Sequence, residues 1–192
     1  MLKDLITKNR SYRRFHQNIA ISIETLRELV DLARLTPSGG NRQPLKYLLS
    51  CTPSFNDVIF PHLTWAVYLK SWPGPAEGER PSAYIILLGD KTLAPSFEYD
   101  AGIVAQSILL GAVEKGFGGC IIAFINRERL KTALDLPAHL EILLVLALGK
   151  PGEEVVLEPL GANGTIEYWR DERGVHHVPK RSLDELIFKQ LT

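Results

Sequence analysis

Cysteine is scarce in this chain. Only Cys51 and Cys120 occur in 192 residues, far apart. Without a C-x-x-C pair there is neither a dithiol redox motif nor the usual structural zinc site. Reduced thiols in a cytoplasmic protein are the simplest expectation. An excess of one charge is also missing: Lys+Arg and Asp+Glu both number 22. That excludes a global basic field for nucleic acid or an anionic membrane, so any anion site must be local. No apolar run reaches the roughly 20 residues that span a bilayer. The longest, around 101–113, is interrupted by Gln106. The segment Met1-Leu2-Lys3-Asp4 is charged and lacks the apolar stretch of a signal peptide, so no membrane association is expected. Internal repeats and low-complexity segments are absent. So are G-x-S-x-G, H-E-x-x-H and Walker A patterns. Neither cysteine has a histidine nearby in sequence to activate it.

What remains reads as one α+β domain over residues 1–192. A short helix is expected at 2–7. Ser22 can cap a second, with Ile23, Leu26, Leu29, Val30 and Ala33 on its apolar side. Strands are expected at 47–51, 83–88, 120–124 and 142–148. The segment 97–115 predicts a long helix, apolar nearly all round and therefore buried in a core or an interface. Asn126 can cap a helix at 127–134. Hairpin arms are expected at 166–170 and 175–178, and Ser182 with Glu185 forms a capping box for a last short helix. The stretch 53–81 holds Pro53, Pro61, Pro73, Pro75 and Pro81, with Trp65 and Trp72 between them. It reads as an irregular excursion and a candidate lid, with Trp72 as a candidate wall for planar substrates. A surface excursion pinned by tryptophans is the plainer reading. Residues 160–192 form a C-terminal extension. Helices and strands mix without βαβ alternation, which favours a sandwich over a doubly wound sheet.

Two local clusters suggest chemistry. Arg10-Ser11-Tyr12-Arg13-Arg14-Phe15 offers guanidinium donors beside a hydroxyl, the set a phosphate monoester needs. Alone, it also fits a solvated basic run. Pro37-Ser38-Gly39-Gly40-Asn41-Arg42-Gln43-Pro44 offers small side chains, exposed amides and amide hydrogen bonds, which suit the rim of a heteroaromatic ring. It equally fits a plain loop. Gly116-Phe117-Gly118-Gly119 is not a dinucleotide fingerprint. It follows a helix instead of a strand, and Ile121 stands where a third glycine belongs. His176 and His177 would point to opposite faces of a strand, so they do not make a shared metal site. Lys180-Arg181 is a second basic pair that can complete a phosphate site.

Taken in order, these segments resemble the nitroreductase family. The chain has R-S-x-R-x-F (Arg10, Ser11, Arg13, Phe15), then P-S-x-x-N-x-Q-P (Pro37, Ser38, Asn41, Gln43, Pro44). An apolar helix ends in G-x-G-x-C (Gly116, Gly118, Cys120). L-G-K-P follows (Leu148 to Pro151), then Pro179-Lys180-Arg181. The resemblance covers essentially the whole chain. It implies an α/β sandwich with a central, mainly antiparallel sheet flanked by helices, and an intertwined homodimer with two FMN sites. It implies that Arg10, Ser11 and Arg13 bind the phosphate and ribityl chain, assisted by Lys180 and Arg181. Pro37, Ser38, Gly39 and Asn41 would come from the partner subunit, and the backbone of Cys120, Ile121, Ile122 and Ala123 would face the flavin. The implied activity transfers electrons from NADH or NADPH through flavin N5 to nitroaromatics, quinones or related acceptors, by a ping-pong route without a catalytic side chain. A non-catalytic FMN carrier or sensor, or a specialised flavin dehydrogenase or dehalogenase, is the alternative. Three positions depart from the family pattern: Leu45 replaces a Trp after Q-P, Ile121-Ile122-Ala123 replaces Trp-Ile-Gly, and the helical lid of larger members is shortened.

Overall fold

In the computed structural model, which describes residues 1–191, the elements follow a mixed order. Helix α1 (Leu2–Lys8) leads into an extended segment. Ser22 Oγ accepts from Thr25 N–H and starts α2 (Ile23–Arg34), which buries Leu26, Leu29 and Ala33. A 3-10 turn at Gly39–Asn41 precedes β1 (Leu45–Ser50). Next come α3 (Pro53–Ile59), β2 (Ala83–Asp90), α4 (Glu98–Glu114), β3 (Gly118–Ile122) and α5 (Arg127–Ala133). The chain continues through β4 (Leu140–Gly149), β5 (Val155–Pro159), β6 (Trp169–Arg170), β7 (His176–Lys180) and α6 (Leu183–Leu186).

Strands β1-β2-β4-β3 form one antiparallel sheet in that order. Every residue of β2 is buried, because both faces of the sheet are covered. Ala83, Ile85 and Leu87 face α2 and α4, where they meet Leu29, Ala105 and Ile108. Tyr84, Ile86 and Leu88 face the other layer, with Ile59, Leu63, Trp65 and Leu130. The period of two along a strand makes this division. A continuous apolar run is what a strand covered on both faces requires. The α+β sandwich with a central antiparallel sheet expected from the sequence is the architecture found.

Helix α4 ends as its glycine suggested: Gly116 takes φ +77, and its N–H bonds Val113 O at 2.9 Å. The stretch 53–81 departs from expectation. Pro53 and Pro61 look like breakers, yet each stands at the start of a helical turn, α3 and a 3-10 turn at Phe60–His62. There a missing N–H costs nothing and a fixed φ helps. A second sheet, β5-β7-β6, was only half visible in the sequence. Its hairpin is real but short, pairing Trp169 with His177 and Arg170 with His176. Strand β5 runs parallel to β7 and gave no alternation to read.

Candidate functional site

The R-S-x-R-x-F segment lies along the open edge of β3. Tyr12 N–H donates to Gly119 O at 3.0 Å, and Ser11 bridges Gly119 in parallel. Phe15 bridges Pro151, and His16 N–H reaches Lys150 O at 2.8 Å. Two glycines permit this approach. A Cβ on Gly118 would fall 2.6 Å from the Tyr12 ring, and one on Gly149 would fall 2.7 Å from Phe15. The G-x-G-x-C and L-G-K-P motifs are therefore seats for the N-terminal segment. Phe15, 2% exposed, anchors it.

Glu153, which no sequence motif marked, fixes the turn. Its Oε1 accepts the backbone N–H of Arg13, and that of Arg14 at 3.0 Å. Its Oε2 pairs with Arg170 at 2.8 Å, with the carboxylate side chain 2% exposed. A buried charge persists only when paired in this way. The Arg170 guanidinium rests 4.3 Å over the Trp72 ring, and that of Arg14 lies 5.9 Å from it. Trp72 lines neither of the cavities described next. In the single chain its ring lies against these two cations.

A cavity of about 270 Å³ gathers Arg10, Ser11, Arg13 and Lys180, with Gln106 and His176 beside them. Its lining contains no Asp or Glu. Arg10 Nε is buried without a hydrogen-bond partner, and burial draws the Arg10 pKa below its ordinary value. Both are relieved by an anion. Arg181 does not join: its guanidinium bonds Glu185 in the cap of α6 at 3.3 Å. A second cavity, about 200 Å³, shares Arg13, Ile121 and Tyr168 with the first and runs along residues 120–124. Its facing wall is Thr64, Trp65, Ala66 and Val67, the part of the 53–81 excursion that reaches the site. Ile121 is 40% exposed there, while Cys120 and Ile122 turn into the core. Burial holds the Cys120 thiol above its ordinary pKa against the opposing pull of Arg13. A neutral thiol is a poor nucleophile.

His176 is 1% exposed, and its Nε2 lies 3.2 Å from Arg13 Nη1. A guanidinium can only donate, so Nε2 accepts and the ring proton sits on Nδ1. Desolvation first, then Arg13 and Arg170, lower its pKa to about 4. His177 goes the other way and contacts Glu158 at 3.1 Å. Among the described residues no group of three potential metal ligands occurs.

The P-S-G-G-N loop is held by Asp100 in the first turn of α4. Ser38 Oγ–H donates to one carboxylate oxygen at 2.6 Å, and Gly39 N–H donates to the other at 2.9 Å. Asn41 (φ 53) and Gln43 (φ 48) occupy the left-handed region, uncommon without glycine. Such strain persists only where surroundings impose it, and it concentrates at functional sites. Pro37 and Ser38 line a separate cavity of about 160 Å³ with Tyr47, whose pKa burial pushes up to about 12. This cavity shares no lining residue with the other two, so one chain does not bring the loop and the arginine cluster together. Glu153, Arg170, Tyr168 and Asp100 all escaped sequence reading. Only Asp100, a carboxylate at the start of an otherwise apolar helix, carried a visible signal.

A family model described as the Nitroreductase family matches residues 6–150. Among solved structures, a Desulfovibrio desulfuricans protein described as a nitroreductase in complex with FMN is 23% identical. The alignment covers 100% of this chain and 97% of that one, with TM-score 0.72. A Parabacteroides distasonis protein described as an NADH dehydrogenase/NAD(P)H nitroreductase is 22% identical over 79% of this chain and 88% of its own, with TM-score 0.65. A Clostridium novyi nitroreductase family protein is 24% identical over 79% and 86%, with TM-score 0.64.

Proposed function

The chain belongs to the nitroreductase family, and from that premise we propose that it is an FMN-dependent oxidoreductase, active as a homodimer. It takes electrons from NADH or NADPH and passes them to nitroaromatic, quinone or related acceptors. The acid-free cavity carries this reading. Arg10, Ser11 and Arg13 from one end of the chain and Lys180 from the other converge on a space with orphaned donors and no competing carboxylate. That donor set fits the phosphate of FMN. When bound, FMN supplies the two-electron chemistry. The chain's own residues bind and orient. Arg10, Ser11 and Lys180 hold the phosphate end. Arg13, shared by both cavities, brings positive charge toward the ring system. The backbone of Cys120, Ile121, Ile122 and Ala123, along the second cavity, would face the ring. Pro37, Ser38, Gly39 and Asn41 come from the second copy, and Arg181 adds long-range charge alone. No side chain serves as acid or base, so donor and acceptor use one pocket in turn. Among the described residues no helix is long and apolar enough to cross a membrane.

Reconstitution followed by anaerobic titration with each nicotinamide tests this. The expected result is a yellow protein that releases FMN on heating, bleaches with NADH or NADPH, and gives parallel double-reciprocal plots. A protein that takes up no FMN overturns the proposal. Bound FMN that no nicotinamide bleaches reduces it to a carrier.

A further inference from the structure

We infer that the β6–β7 hairpin is a clamp that positions Arg13 for the flavin, with His176 as the positioning residue for its guanidinium and Arg170, through Glu153, for its backbone. This rests on the proposed role of Arg13 in holding FMN. Arg170 and His176 are directly paired across the hairpin. Directly opposed residues share one face of a sheet, and here both reach the same arginine by separate routes. Arg170 bonds Glu153 at 2.8 Å, and Glu153 accepts the Arg13 backbone N–H. His176 Nε2 accepts from Arg13 Nη1 at 3.2 Å. Just before β6, Tyr168 places its ring 4.6 Å beneath the Arg13 guanidinium. The hairpin thus fixes the backbone, one side-chain nitrogen and one face of the guanidinium plane.

A hairpin needed only for packing would gain more from apolar side chains than from a buried ion pair and a buried imidazole. His176 even leaves its Nδ1 without a partner. These polar groups make sense if the fold spends them on orientation. A free arginine side chain samples many rotamers, and fixing it before the ligand arrives removes that entropy from the binding step. Neutrality of the imidazole is part of the device, because a protonated ring would have no lone pair for Arg13. The clamp residues lie at 168–176, beyond the 6–150 matched by the family model.

The test is fluorescence titration of apo-protein with FMN at pH 8, using His176→Leu, His176→Gln, Arg13→Ala and the His176→Leu/Arg13→Ala double variant. Circular dichroism confirms folding, and His176→Phe, which keeps a ring without an acceptor, replaces the leucine variant if that one does not fold. His176→Leu should weaken FMN about tenfold, the loss of one hydrogen bond to a charged group. His176→Gln, whose amide oxygen can accept from Arg13, should recover most of the affinity. In the Arg13→Ala background the leucine substitution should cost nothing more. Parent-like affinity of His176→Leu, or an equal loss with and without Arg13, overturns the clamp and leaves the proposed function intact. Unchanged affinity in Arg13→Ala removes Arg13 from the flavin site, and failure of the parent to bind FMN overturns both readings.

Discussion

Glu153 holds the proposed site together from below, and its position makes its contribution measurable. It is a carboxylate 2% exposed, facing one guanidinium and two backbone N–H groups. Glu153→Ala strands Arg170, 11% exposed, without its counter-charge. Removing one partner of a buried pair costs about 3–5 kcal/mol, and urea denaturation should show a loss of that size. A loss under about 1 kcal/mol would mean water reaches the pair. His176 gives a prediction of opposite origin. Its pKa is lowered from 6.5 to about 4 in the folded chain by desolvation, Arg13, Arg170 and His177. Below pH 6.5 the unfolded chain takes up a proton that the native ring refuses. Stability should therefore fall as pH drops from 6.5 toward 4, by about 3 kcal/mol over the whole interval, and be fully present above it. Urea midpoints across that range should decline in the parent and flatten in His176→Gln. Identical pH profiles would show that His176 titrates normally. The sequence displayed Arg10, Ser11 and Arg13 because short spacing makes a visible motif. It hid the roles of Arg170 and His176, which act across contacts that only the second sheet creates, and of Glu153, which meets Arg13 and Arg14 only where the N-terminal segment docks beyond β4.

Among the elements, β3 couples fold and site most tightly. Its outer edge carries Ser11 and Tyr12, and its inner edge pairs with β4. A Cβ on Gly119 would meet the Ala147 backbone oxygen at 2.6 Å and a Leu109 methyl at 2.7 Å. The oxygen belongs to a paired strand and cannot move aside. Gly119→Ala should thus cost about 1–3 kcal/mol, the range for overpacking. It should also displace the neighbouring arginine segment, seen as weaker FMN uptake in protein that is still folded. Normal uptake with normal stability would mean that the segment docks independently of β3. Strand β3, like β2, β4 and α4, was legible beforehand because apolar runs and stop signals mark elements packed on the main core. Helix α3 was not, since its prolines signal a break unless their place in the first turn is known. Strand β5 was not, since its sequence Val155-Val156-Leu157-Glu158-Pro159 does not alternate apolar with polar and ends in proline.

For the whole molecule, a single chain leaves apolar surface that water should not keep. Leu183, Leu186, Phe188 and Leu191 are 69%, 66%, 99% and 84% exposed. Helix α6 is ordered by its Ser182–Glu185 capping box yet buries none of its residues. Along α4, Tyr99 (87%) and Ile103 (40%) are likewise open. Pro37, Ser38 and Gln43 of the strained loop line a cavity that shares no residue with the arginine cluster the loop is proposed to complete. The proposed two-fold dimer would resolve all three conditions, because whatever one chain exposes its copy can cover. Burying a large apolar side chain contributes roughly 1.5–3 kcal/mol. Four from each C-terminal arm give a gross gain of roughly 12–24 kcal/mol, against an association cost of roughly 4–15 kcal/mol. The arms alone can therefore decide the assembly. Light scattering should find a dimer at micromolar concentration with or without FMN. Deleting the chain after Arg181, which leaves Lys180 in place, should shift it toward monomer and lower FMN affinity together, since the loop from the second copy is lost with the interface. Phe188→Asp with Leu191→Asp should do the same without shortening the chain. An FMN-loaded monomer, or a truncated protein that stays dimeric and fully loaded, would show that the arms are dispensable and that one chain builds its own site.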